Sequence, residues 1–109
     1  MYEESDIEKL LVSKVKDLGG RAIKWESPGN AGVPDRIVIF QDGRLVFVEL
    51  KTRKGRLSDL QEMQIRKLRG LGQTVYVSKG VQGLIDFFKS EGYELTALNL
   101  QKRLGRDRE

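Results

Sequence analysis

The stretch GVPDRIVIFQDGRLVFVELKTRK, residues 32–54, reads as two apolar strands joined by a short turn. Charged residues mark the ends of these strands: Asp35 begins the first, and Glu49 and Lys51 lie at the end of the second. Burying an unpaired charge is costly, so such charges are normally neutralised, paired or bound to a metal ion. We therefore expect this hairpin to form the centre of a sheet and to carry a polar site at one end.

The length of the turn decides which side chains face each other. A two-residue loop of Asp42 and Gly43 leaves Asp35 and Glu49 on opposite faces of the sheet. A three-residue loop that starts at Gln41, with Gly43 left-handed, puts Asp35 directly across from Glu49. Our hypothesis is the longer loop, in which the two carboxylates repel each other unless one is protonated or a metal ion bridges them.

N-terminal to the hairpin, the sequence predicts a helix and one strand. Residues 5–20 place apolar side chains on one helical face, and Ser5 and Glu8 have the spacing of a capping box. Residues 21–26 alternate like a half-buried strand, in which we interpret Trp25 as a core residue rather than a platform for base stacking.

C-terminal to the hairpin, the sequence predicts two more helices and a fourth strand. Ser58 and Gln61 have capping-box spacing and begin a helix that ends near Gly70 or Gly72. The later elements are a strand at 73–79, a helix that ends before Gly92, a strand or partner contact at 93–100, and a frayed charged tail at 101–109.

These elements define an α/β fold with a central mixed four-stranded sheet flanked by helices. The first three strands form an antiparallel meander, and the helix after the third strand lets the fourth pair with it in parallel. The two hairpin strands are apolar on both faces, which favours central strands covered by helices on each side. A chain of 109 residues is long enough for one domain with a modest core.

Composition limits the chemistry. The chain has no Cys and no His, which excludes disulfides, Cys/His zinc sites and imidazole catalysis. Carboxylates, lysine, hydroxyls and metal ions that prefer oxygen ligands, such as Mg²⁺ or Mn²⁺, remain. The net charge of +4 is compatible with an anionic partner. No segment is apolar enough to span a membrane and the N-terminus is acidic, so we expect no membrane partner and a location inside the cell.

The sequence resembles a known nuclease family. "GVPD", followed after thirteen residues by "ELK", is similar to the PD-(D/E)xK signature. The N-terminal helix with Glu8 and the segments "PGNAGVPDRIV", "VELK" and "LSDLQ" resemble the virus-type replication-repair nuclease (VRR-NUC) family over most of residues 5–90. This resemblance implies a restriction-endonuclease-like core in the order αβββαβ, with a nuclease domain at 1–92 and a C-terminal extension at 93–109.

The resemblance also implies a metal-dependent DNA endonuclease. Asp35 and Glu49, with the backbone carbonyl of Leu50, would bind Mg²⁺ or Mn²⁺. The ion would hold a phosphate oxygen and activate the water that attacks phosphorus. Lys51 would orient that water or offset negative charge in the transition state.

Glu8 and Gln61 each fit two interpretations. Glu8 is the third residue of its predicted capping box, yet on a helical wheel it lies within the apolar arc, where it could reach a metal-bound water or a second ion. Gln61 is a predicted cap side chain, and its family counterpart implies a group that positions Lys51 or the water. By the resemblance, both belong to the catalytic set.

Four basic residues form a cluster at and just after the site: Lys51, Arg53, Lys54 and Arg56. A cluster of this kind is either a solvated charged face or a DNA-binding surface. Beside a phosphodiester site, contacts to backbone phosphates are the better interpretation for the group.

We expect a homodimer that cuts branched DNA such as four-way junctions, because one site cuts one strand and some stand-alone members of the resembled family act as dimers on such DNA. Leu95, Leu98 and Leu100 are candidates for the dimer surface or for the monomer core. The alternatives are an archaeal-type Holliday junction resolvase-like nuclease and a DNA-binding module of the same fold that lacks catalysis. The expected location is the cytoplasm of a bacterial or phage-infected host cell.

Overall fold

The computed structural model describes residues 2–107 and contains one four-stranded sheet in the order β1-β2-β3-β4. The strands β1 to β3 are antiparallel and β4 is parallel to β3, as the sequence predicts. In chain order the elements are α1 (Glu4–Asp17), β1 (Arg21–Lys24), β2 (Arg36–Ile39), β3 (Leu45–Lys51), α2 (Asp59–Gly70), β4 (Val75–Lys79), α3 (Gly80–Ser90) and α4 (Glu94–Asp107).

The turn between β2 and β3 has the longer of the two predicted forms. The Phe40 N–H donates to the Arg44 carbonyl at 2.9 Å, and the Gly43 N–H donates to the Phe40 carbonyl at 2.9 Å. Gly43 is left-handed, with φ of 92°. The β2–β3 register extends this pairing and brings Asp35 opposite Glu49, so the three-residue hypothesis is confirmed.

Arg44 anchors the turn to the C-terminal part of the fold. Its Nε donates to Asp42 Oδ2 at 2.8 Å, and its Nη1 donates to Glu91 Oε1 at 2.6 Å. The guanidinium also lies 5.0 Å from the centre of the Phe40 ring, which is a favourable cation–π distance. These contacts hold the turn at the junction between α3 and α4.

The hydrophobic core lies on one face of the sheet. Helices α1 and α3 cover this face, and α4 packs on α3. The other face is covered less completely, by α2, and leaves Leu45 at 43% and Ile23 at 36% exposed. The expectation that helices cover both faces of the hairpin is therefore only partly met. The hairpin residues that enter the core are Val38 in β2, Phe40 directly after it, and Val46, Val48 and Leu50 in β3.

The two predicted capping boxes differ in outcome. Ser58 and Gln61 cap α2 as predicted. The Ser5–Glu8 box is wrong, because α1 begins two residues before the start that this box predicts and its reciprocal cap is made by Glu3 and Asp6. The Glu8 side chain therefore does not cap α1, and it contacts Arg36 of β2 instead.

The C-terminal residues 94–107 form helix α4, so the predictions of a strand at 93–100 and a frayed tail after it are wrong for the described part of the chain. Ala97 and Leu100 are buried against the core, whereas Leu95 and Leu98 are exposed. The helix therefore belongs to the folded body. Among residues 2–107 there is no helix long and apolar enough to cross a membrane.

The turn can be tested through Gly43. A Cβ at this position would meet no atom within 4 Å, so Gly43→Ala should lower the free energy of unfolding through backbone strain alone, by about 1–2 kcal/mol. Gly43→Asn should cost less, because Asn tolerates the left-handed region. Urea denaturation measures both variants.

Gly105→Ala is the control for this series. Gly105 lies inside α4 with open space around it, so the substitution should raise stability by roughly 0.5–1 kcal/mol. A Gly43→Ala variant as stable as Gly105→Ala would contradict the left-handed three-residue turn.

Candidate functional site

Asp35 and Glu49 face each other across β2 and β3. Phe40 and Arg44 are a hydrogen-bonded pair, and hydrogen-bonded and non-hydrogen-bonded pairs alternate along an antiparallel ladder. Asp35 and Glu49 therefore form a non-hydrogen-bonded pair, in which facing side chains lie closer together than in a hydrogen-bonded pair. The Asp35 Oδ2 atom accepts a hydrogen bond from the Leu50 N–H at 2.8 Å. The Asp35 side chain is thereby fixed at the end of β3.

The two oxygens of Glu49 have different surroundings. The Oε2 atom accepts a hydrogen bond from Gln61 Nε2 at 2.9 Å and lies 3.5 Å from the Lys51 ammonium. The Oε1 atom is buried and has no hydrogen-bond partner among residues 2–107. One oxygen is thus held by the protein, and the other is available to a ligand.

The charge of Glu49 is disfavoured by its environment. Burial of the side chain, which is 1% exposed, and then the facing Asp35 carboxylate raise the pKa of Glu49 from 4.5 to about 7. Lys51 acts in the opposite direction but does not cancel the two effects. A cation at the free oxygen would remove the cost of ionising Glu49.

This donor set fits a hard divalent cation. The orphaned Glu49 oxygen and the facing Asp35 carboxylate offer oxygen ligands, as Mg²⁺ and Mn²⁺ prefer. Among residues 2–107 there is no group of three or more acidic, His or Cys side chains able to hold a metal. Two carboxylates are sufficient for Mg²⁺, which usually keeps several waters and binds few protein groups. The predicted Leu50 carbonyl ligand stays a prediction.

Gln61 links the N-terminus of α2 to the acidic pair. Its Oε1 atom accepts from the Ser58 N–H at 2.9 Å, which completes the capping box, while its Nε2 donates to Glu49. Gln61 therefore caps α2 and also contacts the site, as its two interpretations suggested. The partner on the sheet is Glu49 rather than Lys51.

A close approach of two backbones sets the position of α2. Gly32 has φ of 90°, and a Cβ on it would lie 2.7 Å from the carbonyl carbon of Leu60. Gln64 Nε2 also donates to the Ala31 carbonyl at 3.2 Å. The loop before Asp35 therefore packs directly on the first turn of α2. In the sequence alone, the glycines of this loop fit a simple turn and a close approach to DNA equally well, so they do not predict this contact with α2.

Glu8 does not join Asp35 and Glu49. Its Oε1 atom accepts hydrogen bonds from both Nε, at 3.0 Å, and Nη2 of Arg36. Arg36 follows Asp35 in β2 and projects to the opposite face of the sheet, where it also donates to the Ala22 carbonyl at 3.2 Å. The metal-ligand role expected for Glu8 is not supported by this placement, and the Arg36 contact was missed because it spans 28 positions of sequence.

The remaining predicted residues lie at the end of β3, in the loop that follows it, and beside Phe47. Lys51 is 17% exposed beside Glu49, and Arg53, Lys54 and Arg56 are exposed in the following loop. Trp25 lies outside the main core, contrary to its interpretation as a core residue, and its ring packs against Phe47 at 5.2 Å between centroids.

Comparison with known proteins identifies the class. The model of the VRR-NUC domain family matches residues 4–82, more than half of the chain and all the residues of the acidic site. The chain belongs to this family of nucleases.

Two individual proteins support the assignment. "Putative nuclease p44" of Acyrthosiphon pisum secondary endosymbiont phage 1 is 42% identical over 77 residues, which cover 71% of this chain and 83% of that protein. A solved structure titled "VRR_NUC domain" is similar at a TM-score of 0.72 and 27% identity, covering 83% of this chain and 97% of that one. The mixed four-stranded sheet flanked by helices is thus the fold of the family.

The raised pKa of Glu49 predicts how stability depends on pH in the absence of metal. Between about pH 4.5 and 7 the folded state holds a proton that the unfolded state releases, so the free energy of unfolding falls as the pH rises. Glu49→Gln removes this loss and should be more stable than wild type near pH 8, by on the order of 3 kcal/mol.

Thermal unfolding in EDTA, followed by circular dichroism, measures the difference. Near pH 5 the two proteins should differ much less, because most of the penalty is then absent. A Glu49→Gln variant that is less stable than wild type near pH 8 would contradict the electrostatic account. Asp17→Asn, at the exposed end of α1, controls for the loss of one negative charge.

Two glycines of one loop form a matched pair for testing the approach of α2. Gly29 and Gly32 both have positive φ, but a Cβ on Gly29 would meet nothing within 4 Å. Gly32→Ala should therefore displace α2 and Gln61 and lower nuclease activity by about ten- to a hundredfold more than Gly29→Ala does. Equal activity of the two variants would show that this contact does not position the site.

Proposed function

We propose that this protein is a metal-dependent DNA endonuclease whose site is the Asp35–Glu49 pair. The observation that carries the proposal is the buried Glu49 Oε1 atom, which has no hydrogen-bond partner among residues 2–107 and belongs to a residue that lies opposite Asp35. An arrangement of this kind is unfavourable by itself and becomes favourable when it binds a cation. Mg²⁺ or Mn²⁺, when bound, would supply Lewis-acid activation of the phosphodiester and of a water.

The side chains of the chain divide the remaining tasks. Asp35 and Glu49 would hold the ion, and the hydrogen bond from Gln61 fixes the orientation of Glu49. The Lys51 ammonium, mostly buried beside Glu49, offsets the negative charge that develops on the phosphate in the transition state. Membership of this nuclease family implies products that carry a 5′-phosphate and a 3′-hydroxyl.

DNA is held next to this site by the loop after β3. Arg53, Lys54 and Arg56 are exposed and follow Lys51 directly in the chain. Their charges suit the phosphate backbone, which carries most of the sequence-independent affinity of DNA-binding proteins. The net charge of +4 favours the same partner.

The proposed substrate is branched DNA, and the proposed active form is a homodimer. Residues 2–107 form one site of this kind, so two coordinated cuts at a junction require two copies. Leu95 and Leu98, exposed on α4, are the candidate dimer contact, whereas Leu100 is buried in the core and is removed from that set. The phage relative favours a bacterial or phage-infected cell as the setting, with the cytoplasm as the compartment.

Cleavage of labelled four-way junction, flap and linear duplex DNA tests the proposal. In Mg²⁺ or Mn²⁺ the wild type should cut the junction faster than the linear duplex, and EDTA should abolish cutting. Lys51→Ala and Asp35→Ala should each lower the rate by at least about a hundredfold. Lys14→Ala and Asp17→Ala, which change the same charges on α1, should retain activity.

The outcomes separate the alternatives. Faster cutting of the linear duplex than of the junction would support the proposed nuclease function but contradict the proposed branched substrate. Salt-sensitive binding without cutting in either metal would reject the nuclease in favour of a DNA-binding module. Sedimentation of the same samples measures the dimer, and a monomer that cuts both strands of a junction would contradict the proposed assembly.

A further inference from the structure

A basic groove lies on the opposite face of the sheet from Glu49. It has a volume of about 640 Å³ and runs between α1 and the ends of β1 and β2. Its basic lining residues are Lys9 and Lys16 from α1, Lys24 from β1 and Arg36 from β2. We refer to this feature, defined by these four residues, as the α1 groove.

The α1 groove has a large excess of positive charge. Glu8 is the acidic residue in its lining, and the Glu8 carboxylate is already occupied by Arg36. Lys9 and Lys16 make no ion pair among residues 2–107, and Lys24 has only an exposed pair with Glu26 at 3.6 Å. Exposed pairs of that kind contribute little, so the three lysines are available to an anionic ligand.

The spacing of the lysines suits a repeated anion rather than a single small one. Lys9 and Lys16 are two helical turns apart on one side of α1, which separates them by ~10.5 Å along the helix axis. Phosphates along one strand of duplex DNA rise by roughly 3.4 Å each, so both lysines can reach phosphates of the same strand about three nucleotides apart.

The α1 groove and the acidic pair meet at one end of β2. Asp35 and Arg36 are neighbours in the chain, and their side chains project to opposite faces. Lys24 lies across from Arg36 at the end of β1, which is the edge strand of the sheet. A DNA segment at the acidic pair can therefore continue past this edge into the groove.

We propose that the α1 groove is a second binding surface for the phosphate backbone, which holds a segment of the substrate DNA away from the cut. This inference rests on the proposed nuclease function, because it assigns the groove to the same substrate. It separates two sets of contacts: the loop after Lys51 holds the cut strand, and the α1 groove holds a flanking segment. Affinity, rather than chemistry at the acidic pair, depends on the groove.

The salt dependence of DNA binding tests the inference. A triple variant, Lys9→Gln, Lys16→Gln and Lys24→Gln, is compared with wild type by fluorescence anisotropy, using fluorescein-labelled duplex in EDTA over a series of NaCl concentrations. The triple variant should bind on the order of tenfold more weakly at low salt. The slope of log affinity against log salt should become shallower by about 2–3, because three phosphate contacts are lost.

A second triple variant controls for net charge. Lys14→Gln, Lys89→Gln and Lys102→Gln remove the same charge from α1, α3 and α4 outside the groove. Its salt slope should stay close to that of wild type. Circular dichroism melts establish that both triple variants are folded.

The outcomes keep this inference distinct from the proposed function. If the groove variant binds DNA like wild type, or if both triple variants lose the same amount of DNA affinity, the groove assignment is wrong. Metal-dependent cutting by the wild type would still support the proposed nuclease function in that case. If the wild type neither binds nor cuts DNA, both proposals fall. A loss specific to the groove variant supports the inference.

Discussion

The repulsion between the facing carboxylates of Asp35 and Glu49 is the constraint on which the rest of the site depends. A three-residue turn ending at the left-handed Gly43 sets the register that brings the two side chains together. On the other face of the same strands, Val46 and Val48 are packed into the core, so the strands cannot shift to relieve the contact without losing buried apolar surface. The fold thus maintains an unfavourable charge arrangement that favours cation binding.

The neighbouring residues hold this pair without neutralising it. Lys51 and Gln61 both approach the Oε2 atom of Glu49 and leave the Oε1 atom without a hydrogen-bond partner in the described part of the chain. Gln61 can do so because Gly32 lets the loop come into direct contact with the first turn of α2. A hydrogen bond on each oxygen would have satisfied Glu49 as an ordinary buried carboxyl and would have left neither oxygen for a cation.

Much of this arrangement was predictable from local sequence, because strand alternation, helical periodicity and turn length are local properties. The sheet order, the hairpin register and the α2 cap were predicted correctly on that basis. The errors have identifiable causes. Ser5 and Glu8 match a capping pattern, but Glu3 and Asp6 compete for the same helix end. For α4, the sequence was interpreted from a weak alternation rather than from the helical spacing of its core-facing side chains, which are the buried Ala97 and Leu100 and the half-buried Leu104.

Contacts between distant segments were beyond local reasoning. The pairing of Glu8 with Arg36 and the packing of Gly32 on α2 depend on the tertiary fold, and neither leaves a periodic signal in the sequence. The same limit explains Trp25, whose alternation indicated a half-buried strand but could not show which face of the sheet it would occupy. Local patterns predicted where the acidic residues stand, and tertiary packing determines what surrounds them.

Binding of Mn²⁺ tests the central claim most directly. Electron paramagnetic resonance at neutral pH measures free Mn²⁺ during titration of wild type, Asp35→Asn and Glu49→Gln, without requiring DNA or turnover. The account predicts saturable binding by wild type and a loss of at least about tenfold in affinity for each variant, because each removes one carboxylate of the pair. Equal binding by all three proteins would contradict the assignment of the metal site to Asp35 and Glu49.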